Sequence, residues 1–461
     1  MNHRPTRTPS LRVLLLLLLT GLLTRPAAAQ LPPPADDPNR PPGLIQNSTR
    51  PNNWTDAQGH SYVRSGKGSW TSYDDAKANP FPLPDPLLLK NGQPVKDADT
   101  WWNQRRPEIL VDFRTAIYGH IPANTPAITW SVTFTDTNAA GGTALKRTVT
   151  GIVDNSRYPA AKPRINLTLY TPLHAAGRVP MIMVVIPGPG GYGAPRAGAA
   201  QTGLPADPPS GSPLYQLLAL GWGYGTMEVG PIQNDYSGGL TTGIIGLMTQ
   251  GRPRQPGDWG VLAAWTWGLS RSLDYLANDP CIDAHRMGVE GHSRYGKTAL
   301  LAAALDPRWA IVYASCSGEL GAKPSRRNYG ETVDNDASSH WVDGNFRQYA
   351  GHWDKLPVDS HELIALVAPR PIFLNGGTGD QWADPHGAFL AAVAAGPVYQ
   401  LLGAHDLGST NMPAPNEALL TGDIAFRYHA GPHTDALDWP AFLQFAQRYL
   451  KSPAKKSIEQ Y

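Results

Sequence analysis

Val289-Glu290-Gly291-His292-Ser293-Arg294-Tyr295-Gly296-Lys297-Thr298 is the stretch that decides how the rest of the chain is read. A short strand pattern, Arg286–Glu290, runs into Gly291, and a helical pattern, Thr298–Leu305, continues just after Ser293. A serine on so tight a strand-to-helix turn is pushed above the carboxyl edge of a sheet. Its hydroxyl is then exposed, and the following backbone N–H points at the same place. The usual elbow reads Gly-x-Ser-x-Gly. Here the second glycine comes one place late, at Gly296, because Tyr295 intervenes. A bare Gly-x-Ser is common by chance, and its plain alternative is a helix N-cap serine. The strand before, the helix after and the partners downstream favour a nucleophile.

Working outward, strand, loop and helix alternate from residue 180 onward. Met181–Ile186 reads as a fully buried strand and Gly221–Glu228 as a second. A long helix fits Asp258–Ala277, with Val261, Leu262, Trp265, Leu269, Leu273 and Leu276 at helical spacing. Ile311–Ala314, Pro371–Asn375 and Ile424–Tyr428 are further strands; Leu363–Val367 and Trp439–Leu450 are helices; residues 317–358 are irregular. Buried strands alternating with helices imply one mainly parallel sheet covered on both faces. Before this region, Ala127–Phe134, Thr148–Val153 and Arg164–Tyr170 are antiparallel strand candidates. Residues 101–119 predict a helix that has Pro107 in an early turn, buries Ile109, Leu110, Phe113 and Ile117, and stops at Gly119.

A serine needs a base, and the base an acid to orient it. Both are expected on loops after later strands. His433 lies in the loop that leads to the closing helix, while its rival His429 lies at a strand end and reads as structural. Asp380 follows Pro371–Asn375 in the run Gly376-Gly377-Thr378-Gly379-Asp380, the place for the acid, with a loop-capping aspartate as the plain alternative. Glu319, beyond Ile311–Ala314, is the alternative acid. Lys297, four helical positions from Ser293, falls on the same face. Arg294 could add a guanidinium to its backbone N–H at a developing oxyanion. Two cations beside an ester site suggest an oxygen-rich substrate such as a sugar acid.

Composition bounds the rest. The 461 residues carry 39 Lys+Arg against 37 Asp+Glu, 41% hydrophobic residues and only 16% charged ones. Such a chain builds a sizeable core and has no basic stripe for nucleic acid or an acidic membrane surface. Arg4, Arg7 and Arg12, the apolar run from Val13, and Ala27-Ala28-Ala29 read as a secretory signal peptide over residues 1–29. Its removal takes four arginines and no acid, turning a formal +2 into −2. The expected product is secreted or periplasmic. Residues 30–98 read as a linker and an irregular N-terminal arm, and residues 99–461 as the catalytic domain. Cys281 and Cys316 allow one disulfide at most, two free thiols equally, and no zinc site built from cysteines alone. Gly188-Pro189-Gly190-Gly191 lacks the ending of a phosphate loop, and His405-Asp406 lacks metal-ligand spacing. No metal and no cofactor are assigned; the chain is expected to be a monomer without nucleic-acid or membrane partners.

The string Gly291-His292-Ser293-Arg294-Tyr295-Gly296-Lys297 resembles the Gly-x-Ser-Arg-x-Gly-Lys motif of glucuronoyl esterases, carbohydrate esterase family 15. The likeness extends to Arg105-Arg106-Pro107-Glu108-Ile109, the run from Ser325 to Glu331, His340-Trp341, the run from Asp380 to Pro385, and His433. It implies an α/β-hydrolase fold and cleavage of esters between 4-O-methyl-glucuronate branches of xylan and lignin alcohols. It also implies Ser293 as nucleophile, His433 as base and Arg294 as oxyanion stabiliser. Lys297 and Glu331 would bind uronate hydroxyls, Trp382 would cover the sugar face, and His340 joins the substrate-binding set. Fungal members carry a glutamate at the end of the strand after the serine, where Cys316 stands here; that favours Asp380 as the acid. They also carry cysteines beside the serine and histidine, where His292 and Thr434 stand here, so the bacterial branch fits better. The rival readings are an acetylxylan esterase or general carboxylesterase of the same fold, and a carbohydrate-binding protein that has lost its chemistry.

Overall fold

Runs of β-branched and apolar residues build a ten-stranded sheet. In chain order its strands are β1 (Ile128–Asn138), β2 (Ala144–Val153), β3 (Arg164–Pro172), β4 (Val179–Ile186), β5 (Gly223–Glu228), β6 (Ile282–His292), β7 (Ile311–Ser315), β8 (Ile372–Gly377), β9 (Glu417–Leu419) and β10 (Ile424–His429). Their spatial order is β9-β10-β8-β7-β6-β4-β5-β3-β2-β1. The central run from β10 to β5 is parallel, and β9, β3, β2 and β1 extend it antiparallel. The computed structural model describes residues 1, 40–46, 53–57, 59–63, 70–78, 81–188 and 207–451, of which Pro41 onward form one unit. The expected leader beyond Met1, and residues 189–191 of the glycine-rich turn, lie outside the described residues.

Helices cover both faces because the parallel strands are apolar on both sides. On one face pack α2 (Val261–Leu276), α3 (Arg294–Leu305) and α4 (Pro385–Leu401). On the other lie α5 (Trp439–Leu450) and the short helix Pro213–Ala219. Helix α4 escapes periodicity: it is apolar nearly all round and contains Pro397. The segment expected to be helical over 101–119 is helical from Ala98 to Tyr118, with π turns flanking α1 (Arg106–Phe113). Gly119 ends it at φ +78°, where a Cβ would lie 2.4 Å from the Asp258 carbonyl oxygen. The arm expected to be irregular contains a small antiparallel sheet of Ile45–Gln46, Asn53–Thr55 and Ser61–Val63, strands too short to show a period. Cys281 and Cys316 are both free, so the one possible bridge is not made.

Glu290, three residues before the serine, is 1% exposed, and its Oε1 has no hydrogen-bond partner. Burial, with Asp435 nearby, holds its carboxyl well above the ordinary carboxylate range. A group raised in the folded state stabilises fully below its unfolded value, about 4.3 for glutamate, and loses that contribution as pH rises through the folded value. Glu290→Gln should therefore gain stability over the parent as pH rises. We expect a gain of about 1 kcal/mol or more at mildly alkaline pH, the desolvation scale of a buried polar group. Melting curves across pH should show the gap closing toward acid; a gap independent of pH would contradict the assignment.

Candidate active site

Ser293 sits between β6 and α3 with φ 60° and ψ −127°, a conformation that L residues avoid. Its N–H donates to the Ser315 carbonyl at 2.8 Å, tying the turn to β7. A Cβ on Gly291 would lie 2.1 Å from the Tyr295 carbonyl oxygen, and one on Gly296 2.6 Å from that of Ser315. The second glycine is thus required at 296, where the helix's first turn meets β7. Tyr295 is free to be large and packs its ring 5.7 Å from Trp265.

The loops after β8 and β10 bring Asp380 and His433 together. His433 Nδ1 lies 2.6 Å from Asp380 Oδ2, with Asp380 buried and the imidazole 39% exposed. The two loops are laced by Thr378 N–H to His429 O (2.9 Å), Gly379 N–H to Gly431 O (2.8 Å) and Gly431 N–H to Thr378 Oγ1 (3.1 Å). His429 is turned into the core, with Nδ1 2.7 Å from Asp438 Oδ2 and Nε2 2.8 Å from the Pro432 carbonyl. The His292 ring lies 4.3 Å from that of His433, and Nδ1 is 3.1 Å from Ser315 Oγ. Burial, with the neighbouring His433, pushes His292 down to about 4, so it is neutral near pH 7 and adds no charge there.

Glu319, the alternative acid, is engaged elsewhere. It is fully buried, 3.1 Å from Lys323 Nζ, and accepts a hydrogen bond from Ser325 Oγ. Burial raises its carboxyl above the usual range against the pull of Lys323. Among the described residues its carboxylate bonds run to Lys323 and Ser325 and not to His433.

Arg294 and Lys297 both lie near the Trp341 ring but pair with different carboxylates. Arg294 Nη1 donates to Asp235 Oδ2 at 2.7 Å, and its guanidinium lies 4.9 Å from the centre of the Trp341 ring. Asp235 also bonds His340 Nε2 at 2.8 Å and accepts from Trp341 Nε1 at 2.7 Å. Burial alone would raise Asp235, but the bonds from His340 and Trp341 and the Arg294 charge bring it down to about 2. Asp235 escaped sequence reasoning because its loop, after β5, has no periodicity and its partners are remote in the chain. Lys297 is only 3% exposed and Glu331 7%; their Nζ and Oε2 lie 2.7 Å apart. Lys297 also donates to the Glu319 carbonyl, and Glu331 Oε2 accepts the Glu319 N–H at 3.0 Å. The expected pair of hydroxyl binders is therefore a pair of partners, a buried cation demanding a counter-charge. Trp382 is half-buried in the turn after Asp380, and its carbonyl accepts the Glu331 N–H at 2.8 Å.

Other motif residues act as clamps. Fully buried Arg327 donates through Nε to Asp384 Oδ2 at 2.8 Å and also bonds Asp75. This joins the 325–331 segment to the 380–385 segment. Arg105 Nη2 donates to Glu362 Oε1 at 2.7 Å.

A strained serine turn on a mainly parallel sheet, with acid and base on loops after later strands, is the mark of the α/β-hydrolases, and this chain has their fold. Residues 254–403 match the family model for glucuronyl esterase of fungi. A curated carbohydrate esterase from an unknown prokaryotic organism is 35% identical, covering 83% of this chain and 93% of its own. A 4-O-methyl-glucuronoyl methylesterase from Wolfiporia cocos is 28% identical over 70% of this chain and 73% of its own. Among solved structures, a glucuronoyl esterase of carbohydrate esterase family 15 from Teredinibacter turnerae superposes with a TM-score of 0.75. That match has 38% identity and covers 82% of this chain and 92% of the other. The chain belongs to carbohydrate esterase family 15, the glucuronoyl esterases, and is a carboxylic ester hydrolase.

The Glu319–Lys323 pair yields a stability test. Removing one partner of a fully buried pair leaves an uncompensated charge, at a cost of about 3–5 kcal/mol. Glu319→Ala should show a loss of that order in urea unfolding. A loss under about 1 kcal/mol would mean that Lys323 is accommodated without it.

Proposed function

We propose that Ser293, His433 and Asp380 form the catalytic triad of an exported glucuronoyl esterase, which cleaves esters between glucuronate branches of xylan and lignin alcohols. The observation that carries this reading is the 2.6 Å pair of His433 and Asp380 on the two loops beyond the carboxyl edge that also carries the Ser293 turn. Ser293 Oγ attacks the uronate carbonyl carbon while the His433 imidazole takes its proton. Negative charge gathers on the carbonyl oxygen, where the N–H of residue 294 and the Arg294 guanidinium meet it. The intermediate collapses as His433 returns the proton to the departing alcohol. Water, deprotonated by His433, then attacks the acyl-enzyme and releases the uronic acid and Ser293. Asp380 holds the imidazole in the required tautomer and supports its charge.

Asp235 is the positioning residue for Arg294, since its carboxylate and the Trp341 face fix the guanidinium from two sides. His340 serves the same cluster through Asp235. Glu331 keeps both of its protein bonds on Oε2, which supports Oε1 as an acceptor for uronate hydroxyls, with Trp382 alongside. The arginine-led apolar run ending at Ala27-Ala28-Ala29 supports export and cleavage near Ala29. No described helix is long and apolar enough to cross a membrane.

Turnover of a methyl glucuronate ester against an acetylated xylan tests the substrate class; preference for the acetyl ester would overturn it. On the glucuronate ester, Asp380→Asn should lower kcat by about 10⁴ with an unchanged melting temperature, as loss of an orienting acid does elsewhere. A variant with near-parent kcat would remove Asp380 from the triad. Arg294→Ala should lower kcat by about 10²–10³ with little change in KM, the size of a lost oxyanion donor. Asp235→Asn should fall on the same side of the kcat–KM split. An effect of Asp235→Asn on KM alone would place it with substrate binding instead.

A further inference from the structure

Cys316 stands directly after β7 with φ +45°, its N–H held by Asn375 Oδ1 at 3.0 Å. The thiol is buried; it reaches the Thr434 carbonyl at 3.7 Å and also hydrogen-bonds Asp380. Cys316 Sγ, a carboxylate oxygen of Asp380 and a ring nitrogen of His433 all lie within 4.8 Å of one another. We propose that Cys316, Asp380 and His433 form a binding site for a borderline-soft divalent cation, Zn²⁺ or Cd²⁺, whose occupancy reversibly silences the esterase. The silencing rests on the proposed role of His433; the binding does not.

The donor set makes the choice of cation. Thiolate, imidazole and carboxylate together suit Zn²⁺, while Mg²⁺ and Ca²⁺ take oxygen donors. The geometry also fits. Zn–S bonds of about 2.3 Å and Zn–N or Zn–O bonds of about 2.0–2.2 Å set tetrahedral ligands roughly 3.3–3.7 Å apart. That is inside the observed spread, so side-chain adjustment suffices. All three residues are anchored, Cys316 by its strand and the other two by the laced loops. The partly exposed imidazole leaves a route for the ion and for a water as fourth ligand. Coordination exchanges the thiol proton, released to solvent, for a metal–sulfur bond. Bound through Nδ1, the imidazole must part from Asp380 Oδ2, whose 2.6 Å separation is too short for two ligands of one zinc; bound through Nε2, it loses the lone pair that takes the serine proton. Either way the cation takes His433 out of its proposed role as base.

The test uses the full chain after treatment with a chelator. Equilibrium dialysis against Zn²⁺ should show one ion bound, and Co²⁺ should give a near-ultraviolet thiolate-to-metal absorption band. Cys316→Ala and Cys316→Ser should fold, keep near-parent turnover without metal, lose the band and bind at least about tenfold more weakly. Zn²⁺ should abolish turnover of a glucuronate ester by the parent protein, and chelator should restore it. Mg²⁺ at the same concentration should do neither. Binding and inhibition unchanged in both variants, or no band and no uptake by the parent, would overturn the site. Zn²⁺ bound through Cys316 with ester turnover intact would instead overturn the silencing and, with it, the catalytic role of His433.

Discussion

The backbone of Ser293, held at φ 60° and ψ −127°, is the constraint on which the site depends. Such a conformation costs of order 1–3 kcal/mol and persists only when its surroundings fix it. Three contacts do so here: the Ser293 N–H on the Ser315 carbonyl, and the two close approaches that exclude any side chain at Gly291 and Gly296. Behind them α3 buries an almost unbroken row from Tyr295 to Ala304. The late second glycine follows from this packing. What must be small is the residue where the helix meets β7, and that residue is 296.

Around this turn, charge does the work that periodic packing does elsewhere. Only 16% of the chain is charged, yet four buried or partly buried ion pairs hold the motif segments together: Arg327–Asp384, Lys297–Glu331, Lys323–Glu319 and Arg294–Asp235. The segment from residue 317 to 358 has little regular structure to bury, so it cannot be located by an apolar face. A buried cation, by contrast, accepts few alternatives, because an unpaired charge in the interior costs several kcal/mol. Arg327–Asp384 ties the segment to the start of α4, Lys297–Glu331 and Arg294–Asp235 tie loops to α3, and Lys323–Glu319 closes the segment on itself. The exchange favours a unique arrangement over extra stability.

How much of this was legible in the sequence follows from the same distinction. The sheet and its flanking helices show in apolar runs and in the spacing of Val261 to Leu276, because burial on a regular element leaves a period. Ser293, Asp380 and His433 show because strand ends are predictable and the loops after them are short. Asp235 does not show: Arg294, His340 and Trp341 meet it from 59, 105 and 106 residues away. Helical spacing puts Lys297 on the Ser293 face, but its counter-ion lies 34 residues on, and nothing local signals that the pair closes on itself. Helix α4 was missed for the opposite reason: an element apolar on every side has no face to read.

On the proposed triad, the departures from the fungal pattern that the resemblance implies belong to one rearrangement. With Cys316 directly after β7, no carboxylate stands there, and the proposed acid, Asp380, lies on the loop after β8. That loop and the loop carrying His433 then have to be held in register with each other. Two backbone hydrogen bonds and one to the Thr378 hydroxyl, among Thr378, Gly379, His429 and Gly431, do this beside Gly377, where a Cβ would lie 2.5 Å from His429 Nε2. A disulfide between the serine and histidine loops would restrain the base from the other side. Here that side is occupied by the His292 ring against His433. The packing suits the task because burial keeps His292 neutral near pH 7, so it can press on the base without repelling the imidazolium that forms there. On the proposed triad, an acid on the loop after β8, the lacing of that loop and a neutral ring against the base are thus three answers to one requirement, a base held from both sides.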